Sequence, residues 1–186
     1  MQTMTEKEAR RQWQGQKSRA MGKMFEDRLD RSFAYYKATG FALVEKTPEP
    51  VKVLSKPDKY QRFTACFAKA AQPDYKGTIK GGRTVVFEAK FTWGQEQRIQ
   101  QDAVKKGKVG KNGQWEDGQW ECLDQYDSLG ARCYIIAGFA SSAVFRVPWD
   151  VWKNMKALFG RKYVTEADLG KYRVETSWND VLLLLG

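Results

Sequence analysis

Residues 73–90 read PDYKGTIKGGRTVVFEAK, and this pattern predicts a β-hairpin with polar side chains near its open end. Residues 75–79 and 84–90 are strand-like, and the Lys-Gly-Gly-Arg sequence between them is typical of a tight turn. The hairpin carries two carboxylates and a lysine, which are Asp74, Glu88 and Lys90. Such a set is suited to holding a divalent metal against a phosphodiester.

The length of the turn determines whether the two carboxylates meet. A two-residue Gly-Gly loop pairs Asp74 with Ala89, and Glu88 then points to the opposite face because side chains alternate along a strand. A three-residue loop, Lys80–Gly82, with its last glycine left-handed as a bulge, pairs Asp74 with Glu88 instead. The functional hypothesis requires the second register or an equivalent bulge.

In the second register, the two carboxylates would repel each other. At a separation of about 5 Å and an effective dielectric near 20, the cost is roughly 3 kcal/mol, which a bound dication would turn into an attraction. Lys90 follows Glu88 by two residues and so projects to the same face. There its ammonium would orient or activate a water, or balance the charge of a pentacovalent phosphate.

Structural explanations exist for the same residues. Asp74 follows a proline and would simply begin a turn. Glu88 and Lys90 would lie on the exposed face of an edge strand, although the Val85–Phe87 run favours a buried strand, in which charges need partners.

Composition limits the chemistry that this chain can perform. The 186 residues contain no histidine, which excludes a Ser-His-Asp triad, a His-ligated metal and a His general base. Carboxylates, Lys, Tyr and Cys remain, so any metal is expected to be a hard, oxygen-preferring one. The three cysteines, Cys66, Cys122 and Cys133, lack the close spacing of zinc sites and are expected to be reduced and structural.

Charge indicates the class of partner. The formal net charge is +10 and the pI is about 9.5, which favours a polyanionic ligand over a merely soluble basic surface. No apolar run reaches membrane-spanning length and the N-terminus is polar, so we expect a cytoplasmic protein that does not enter a membrane.

The remaining pattern predicts an α/β fold with a mixed sheet, in the order helix, strand, hairpin, helix, strand, strand, helix. Residues 1–20 are basic and predict either a mobile arm or a helix that orders on a partner. Apolar residues at helical spacing predict a helix from Met21, with Gly40 as its stop. Later predicted elements are a helix over 119–129, strands over 131–138 and 143–147, a helix over 148–159 whose apolar side chains, Leu158 included, are core, and a buried strand or packing segment over 181–185.

Five motifs in this order resemble RecU-type Holliday-junction resolvases, which belong to the PD-(D/E)xK nuclease superfamily. The resemblance covers roughly residues 20–160, and the FRVPW sequence at 145–149 is most similar to phage and prophage members. The motifs are GKMFE at 22–26, KTPEPV at 46–51, PDYKG at 73–77, FEAK at 87–90 and LGA at 129–131.

The resemblance implies a restriction-endonuclease-like core, with a mixed central sheet flanked by helices, and a role for each site residue. Asp74 and Glu88 would be metal ligands with the carbonyl of Ala89 as a third, and Glu26 would reach the metal directly or through water. Mg²⁺ is the natural ion, and Mn²⁺ is expected to substitute. Lys90 would be the catalytic lysine. Gln119 matches the glutamine that opens the helix after the hairpin, and Gln125 is the alternative.

The resemblance also implies an architecture and partners. A basic N-terminal arm, 1–20, would precede a single nuclease domain, 21–186, with a protruding stalk at about 51–71. An insertion at about 94–118 is longer than in typical bacterial members. The partners would be branched DNA and a second copy of the chain in a homodimer, with no membrane and no nucleotide cofactor. The expected DNA contacts are Arg10, Arg11, Lys17, Arg19, Lys52, Lys56, Lys59, Arg62, Lys69 and Lys76.

The sequence therefore predicts a Mg²⁺-dependent endonuclease that resolves four-way junctions by paired nicks during recombination or repair. We expect it in a bacterial or phage-infected bacterial cell. One alternative is another nuclease of this superfamily, such as a restriction-like or repair nicking enzyme. A second is a junction-binding protein without turnover.

Overall fold

The computed structural model describes residues 5–48, 51–67, 72–93, 97–109 and 113–185. Two 3₁₀ helices lie at Gln101–Ala103 and Ala167–Tyr172. The α-helices are α1 (Glu6–Ala38), α2 (Gln119–Ser128), α3 (Trp149–Lys153) and α4 (Met155–Phe159). The strands are β1 (Ala42–Lys46), β2 (Val51–Val53), β3 (Ala65–Phe67), β4 (Tyr75–Ile79), β5 (Arg83–Thr92), β6 (Arg98–Gln100), β7 (Lys108–Val109), β8 (Trp115–Glu116), β9 (Arg132–Phe139), β10 (Val144–Pro148) and β11 (Tyr163–Thr165).

A five-stranded sheet in the order β1-β4-β5-β9-β10 forms the centre of the molecule. β5 and β9 are parallel, and the other neighbouring pairs are antiparallel. A parallel pair needs a crossover connection, and α2 lies within the one that joins β5 to β9. The predicted α/β fold, with a mixed central sheet flanked by helices, is confirmed.

Side-chain alternation along β5 divides the core into two. Val85 and Phe87 pack with the buried face of α1, whereas Val86 packs with Leu123 of α2 on the other face. Glu88 and Lys90 continue the alternation of Val86 and so lie on the face that α2 covers. The face of α1 predicted from helical spacing is buried and consists of Phe25, Leu29, Phe33 and Tyr36.

The first helix begins earlier than the sequence predicted. α1 starts at Glu6 rather than at Met21, and it crosses the boundary expected near residue 20. The residues before Phe25 have no apolar stripe, so periodicity gave no helix signal there. Its start is a capping box, in which the Glu8 amide donates to Thr5 Oγ1 at 3.4 Å and the Thr5 amide donates to Glu8 Oε2 at 2.9 Å.

The helix predicted over 148–159 is two short helices. Asn154, with φ −97° and ψ 18°, separates α3 from α4 and rotates the face of the second helix. Trp149, Trp152 and Met155 are buried as expected, but Leu158 is 57% exposed, so its assignment to the core was wrong. The C-terminal segment 181–185 is a packing segment rather than a strand. Leu182 makes an isolated β-bridge with Thr176, and the amides of Leu182 and Leu185 donate to the hydroxyls of Ser32 and Tyr36 of α1 at 3.0 Å.

The described residues of the segment 94–118 include three short strands, β6, β7 and β8. β6 pairs with β11, and Ile99 and Val104 are buried in the core on the α2 face. β7 and β8 form a short antiparallel hairpin that ends where α2 begins.

The turn between β4 and β5 has the register that the site requires. Ile79 pairs with Arg83, which leaves a three-residue loop of Lys80, Gly81 and Gly82. The two glycines have φ values of 95° and 86°, and the Gly82 amide donates to the Ile79 carbonyl at 3.0 Å. The three-residue register is confirmed, with both glycines left-handed rather than one.

This backbone predicts a specific cost for adding a side chain to the turn. Gly81→Ala is expected to lower the free energy of unfolding, measured with urea, by about 1–2 kcal/mol, because its φ is unfavourable for an L side chain. Gly15→Ala is the matched control. Its added Cβ meets nothing within 4 Å inside α1, so this change should raise stability by up to about 1 kcal/mol. A Gly81→Ala protein as stable as the parent would contradict the assigned turn.

Candidate active site

Asp74 and Glu88 are held together by reciprocal hydrogen bonds to the backbone. Tyr75 pairs with Phe87, so continuing the register by one residue places Asp74 opposite Glu88. The Asp74 amide donates to Glu88 Oε2 at 3.2 Å, and the Ala89 amide donates to Asp74 Oδ2 at 2.8 Å. Each carboxylate is therefore fixed by the strand that carries the other.

Lys90 completes this partly buried cluster. Its Nζ lies 2.5 Å from Glu88 Oε1, and the side chains of Glu88 and Lys90 are 0% and 19% exposed. Glu88 cannot meet solvent, whereas Asp74 and Lys90 are partly exposed. The cluster is thus accessible from the side on which these two residues lie.

Burial opposes ionisation of both carboxyl groups. It raises the pKa of Glu88 to about 7, with the charge of Asp74 adding to the rise and Lys90 opposing it. Burial also raises the pKa of Asp74, and the charge of Lys90 again opposes the rise. Two carboxylates beside one ammonium leave an excess of negative charge when both are ionised. A further cation beside them would remove the cost of keeping both groups charged.

The backbone adjoining the cluster supplies another oxygen. β4 begins at Tyr75, so beyond Phe87 the edge of β5 on that side has no paired strand residue. The amide of Ala89 points toward Asp74 there. In an extended strand, the N–H and C=O of one residue point to the same side, which directs the Ala89 carbonyl toward Asp74 as well.

Glu26 lies near the cluster but is engaged elsewhere. Its Oε2 is 2.5 Å from Lys46 Nζ, and both side chains are about half exposed. Glu26 belongs to α1, on the sheet face opposite the one toward which Glu88 projects. Its charge nevertheless acts on Asp74, whose pKa it helps to raise. The side chain is within electrostatic reach of the site and is not in contact with it.

The two candidate glutamines make contacts away from the carboxylates. Gln119 is the first residue of α2, and its Oε1 accepts a hydrogen bond from the Lys105 amide at 3.4 Å. Gln125 is exposed, and its Nε2 donates to Asp117 at 3.2 Å. Gln119 thus opens the helix as expected, with its side chain directed to the insertion.

The segment expected to form a stalk contains a two-stranded ribbon separate from the central sheet. β2 pairs with β3, and described residues between 51 and 66 are exposed. At its tip, Asp58 accepts hydrogen bonds from the amides of Tyr60 and Arg62, while Lys59 and Arg62 lie 4.9 Å from the Tyr60 ring. Lys56 is also exposed, the side chain of Lys52 is not described, and Lys69 lies outside the described residues.

The remaining basic residues expected at DNA lie on α1 and β4. Arg10, Arg11 and Arg19 are exposed, and Lys17 lies between two indoles, 4.9 Å from Trp13 and 4.4 Å from Trp93. Lys76 contacts Gln72 and lies 5.9 Å from the Tyr126 ring.

Sequence reasoning missed Lys46 as a neighbour of the site. The residue follows buried Ala42 and Val44 at a spacing of two, which is the signal that it faces α1. Glu26 and Asp30 are one turn apart on that helix, and Asp30 accepts a hydrogen bond from the Tyr75 hydroxyl at 2.7 Å. A lysine on this face therefore meets an acidic row on α1.

Within the described ranges, no three His, Cys, Asp or Glu side chains cluster closely enough to hold a metal by themselves. A cation here would use two carboxylates and backbone or solvent oxygens. All three cysteines are free, but Cys66 is exposed, so only Cys122 and Cys133 fit the structural role expected of them. The helices of the described residues include none that is long and apolar enough to cross a membrane.

A mixed, helix-flanked sheet with Asp, Glu and Lys on two adjacent strands has the arrangement of the PD-(D/E)xK class. The chain belongs to the RecU family, because the model of Recombination protein U matches residues 20–183.

Two similar proteins carry related names. A Holliday junction resolvase RecU of Pediococcus pentosaceus is 35% identical over 75 residues, which are 38% of this chain and 37% of that protein. The matched region thus spans little more than a third of that relative. The structure of Archaeoglobus fulgidus Hjc, a Holliday junction resolvase from an archaeal hyperthermophile, matches with a TM-score of 0.43 and 11% identity over 78% of this chain and 92% of that one.

Proposed function

We propose that the protein is a divalent-metal-dependent endonuclease that resolves four-way DNA junctions by paired nicks. The observation that carries the proposal is the partly buried Asp74–Glu88–Lys90 cluster at one end of the central strands of the sheet. Membership of the RecU family and the name of the Pediococcus relative support the substrate class.

The residues present fit a hard cation. Asp74, Glu88 and the Ala89 carbonyl are oxygen donors, the type that Mg²⁺ prefers, and Mn²⁺ would substitute. When bound, the ion would supply Lewis-acid polarisation of the phosphodiester. Glu26 would act through water, because direct contact would require its carboxylate to leave Lys46 and pass around the sheet edge.

The protein side chains would do the remaining work. Lys90 would orient the attacking water and neutralise negative charge that develops on the phosphate. Its ammonium lies at the opening of the cluster, where a DNA strand would arrive. Gln119, at the start of α2, would need to release Lys105 to contact that strand.

Recognition would depend on the backbone and shape of DNA. The affinity for the junction would therefore fall steeply as the salt concentration rises. The β2–β3 ribbon leaves the sheet between the end of β1 and the start of β4, where Lys46 pairs with Tyr75. It therefore projects from the same end of the sheet as the cluster and would enter the junction centre. Symmetric cleavage of two strands requires two related sites, so we propose a homodimer built from the nuclease domain, with the basic arm as an additional DNA contact.

One experiment separates this function from its rivals. A mobile four-way junction, a matched duplex and a flap are each incubated with the protein and Mg²⁺, and the products are separated on denaturing gels. Paired, symmetric nicks confined to the junction are expected. Preferential cutting of the duplex would favour a restriction-like enzyme, and tight junction binding with no cutting in Mg²⁺ or Mn²⁺ would favour a protein without turnover.

A further inference from the structure

The hairpin formed by β7 and β8 contributes no residue to the Asp74–Glu88–Lys90 cluster. We define the insertion hairpin as the described residues 105–109 and 113–118. Within it, Lys108 pairs with Glu116 and Val109 pairs with Trp115. Val109 and Trp115 are 63% and 59% exposed, so this apolar cross-strand pair faces solvent. An exposed indole offers an aromatic face on which a nucleic-acid base can stack.

The base of the insertion hairpin is firmly attached to α2. Glu121 accepts hydrogen bonds from the Gly107 amide at 2.6 Å and from the Gly118 amide at 2.9 Å, so one carboxylate holds both arms. The Trp120 amide also donates to the Lys105 carbonyl at 2.9 Å. A Cβ on Gly118 would lie 2.3 Å from that carbonyl oxygen. The hairpin is therefore close-packed and preorganised at its base.

The insertion hairpin lies at the same end of the sheet as the candidate active site. α2 connects parallel strands β5 and β9 and so runs antiparallel to them, with its start near the end of β5. Cys122, in the first turn of α2, is close enough to Lys76 and Glu88 for their charges to act on its thiol. The β2–β3 ribbon, here called the stalk ribbon, projects from this same end of the sheet, beside β1 and β4. The cluster thus lies between the ribbon and the insertion hairpin.

The charges of the insertion hairpin favour an anionic ligand. In the described residues of the hairpin, Lys105, Lys106 and Lys108 outnumber Glu116 and Asp117, so the formal net charge is positive. The Asp117 carboxylate accepts hydrogen bonds from the Trp115 indole at 2.9 Å and from Gln125 at 3.2 Å. Lys105 and Lys106 are exposed at the base. Lys106 Nζ lies 4.3 Å from the Trp120 ring, which packs on buried Trp149. This cation–π contact restricts the position of the Lys106 ammonium.

We propose that the insertion hairpin binds DNA on the side of the active site opposite the stalk ribbon. Lys105 and Lys106 contact phosphates, and the Trp115 indole stacks on a base or sugar of the strand that leaves the site. The inference rests on the proposed function, because it places DNA at the cluster. It adds a second DNA-binding surface to the β2–β3 ribbon, so that the strand to be cut is bound on both sides of the reacting phosphate.

The lysines are tested by measuring junction affinity by fluorescence anisotropy in EDTA, over a series of salt concentrations. For the double variant Lys105→Gln/Lys106→Gln, the slope of log Kd against log salt should fall by about 2, which is about 1 for each lost phosphate contact. Lys37→Gln/Lys80→Gln is the matched control, since it removes the same charge at the opposite end of the sheet. Its slope should change little.

The indole is tested separately. Trp115→Ala should weaken junction binding roughly tenfold, the loss of one base-stacking contact. Trp178→Ala removes a more exposed tryptophan, next to Asp180 on the α1 side, and should leave Kd unchanged. Circular dichroism should show that all four variants are folded at the assay temperature, which separates the loss of a DNA contact from unfolding.

The outcomes distinguish this inference from the proposed function. If the parent protein binds and cuts junctions while both insertion-hairpin variants keep its Kd and salt slope, DNA contact by the hairpin is wrong, and its exposed surface would serve a protein partner. If the parent protein itself neither binds nor cuts junctions, the proposed function fails first. A lowered slope confined to the hairpin lysines, with the control unchanged, supports the assignment.

Discussion

Glu88→Gln is expected to reduce junction cleavage by at least about 10²–10³-fold while leaving junction binding intact. The amide is nearly isosteric, but it lacks the negative charge that a cation needs and no longer attracts Lys90 Nζ, now 2.5 Å away. Cleavage rates are measured under single-turnover conditions in Mg²⁺, and affinity is measured in EDTA. Affinity should hold or improve, because a negative charge has been removed near the phosphates.

The control is Glu45→Gln, an exposed carboxylate on β1 whose partner is Lys37 at 3.8 Å. It should cut junctions at the parent rate. Asp74→Asn should resemble Glu88→Gln, and the double variant should be little worse than either single one, because the two groups act as one unit. Cleavage by Glu88→Gln at the parent rate would contradict the assignment of this cluster as the active site.

The second large effect concerns stability in the absence of metal. Glu88 has a pKa raised to about 7 from an ordinary value of 4.5, so the folded state holds its proton when the unfolded state has lost it. Its stabilising contribution is therefore present below pH 4.5 and is lost as pH rises through 7. The contribution of Glu88 to the free energy of unfolding should fall by about 3 kcal/mol between pH 4.5 and pH 7 and remain level at higher pH.

Mg²⁺ should reverse this loss, because it binds the ionised carboxylates of the folded state. Urea unfolding at pH 5, 6, 7 and 8, with EDTA or with Mg²⁺, measures both effects. The stabilisation by Mg²⁺ should be larger at pH 8 than at pH 5. In Glu88→Gln, the pH dependence over this window should largely disappear and the response to Mg²⁺ should be small. A parent protein with equal stability at pH 5 and pH 8 in EDTA would contradict the shifted pKa of Glu88.

The hairpin of the site was predictable because its pattern is local. The glycine pair, the alternation from Val85 to Glu88 and the position of Lys90 contain nearly all the information needed to place three side chains together. The pairing of Asp74 with Glu88 depended on one integer, the number of residues in the loop. Sequence reasoning identified the alternatives, and the paired strands selected one.

Other features depend on contacts between distant segments. The partner of Glu26 is Lys46, 20 residues away on another element. Alternation along β1 places Lys46 on the α1 face, but no local pattern identifies Glu26 as its partner. The helical start of α1 has a capping signal at Thr5 and Glu8 but no apolar stripe, so the two sequence cues disagreed. The break at Asn154 has no signal in the sequence, because the apolar spacing from Trp149 to Leu158 continues across it.

Because α1 starts at Glu6, a long helical segment precedes the first core residue of the helix, Phe25. From Glu6 to Phe25, the first core residue of the helix, the axis extends about 28 Å, which is more than twice the width of a B-DNA major groove. Lys17 lies between the indoles of Trp13, on the same helix, and Trp93, which follows β5. These contacts connect the N-terminal part of α1 to the end of β5. A basic segment that is already folded and fastened loses little conformational entropy when it meets a ligand, so it would set the angle at which an incoming duplex approaches the sheet.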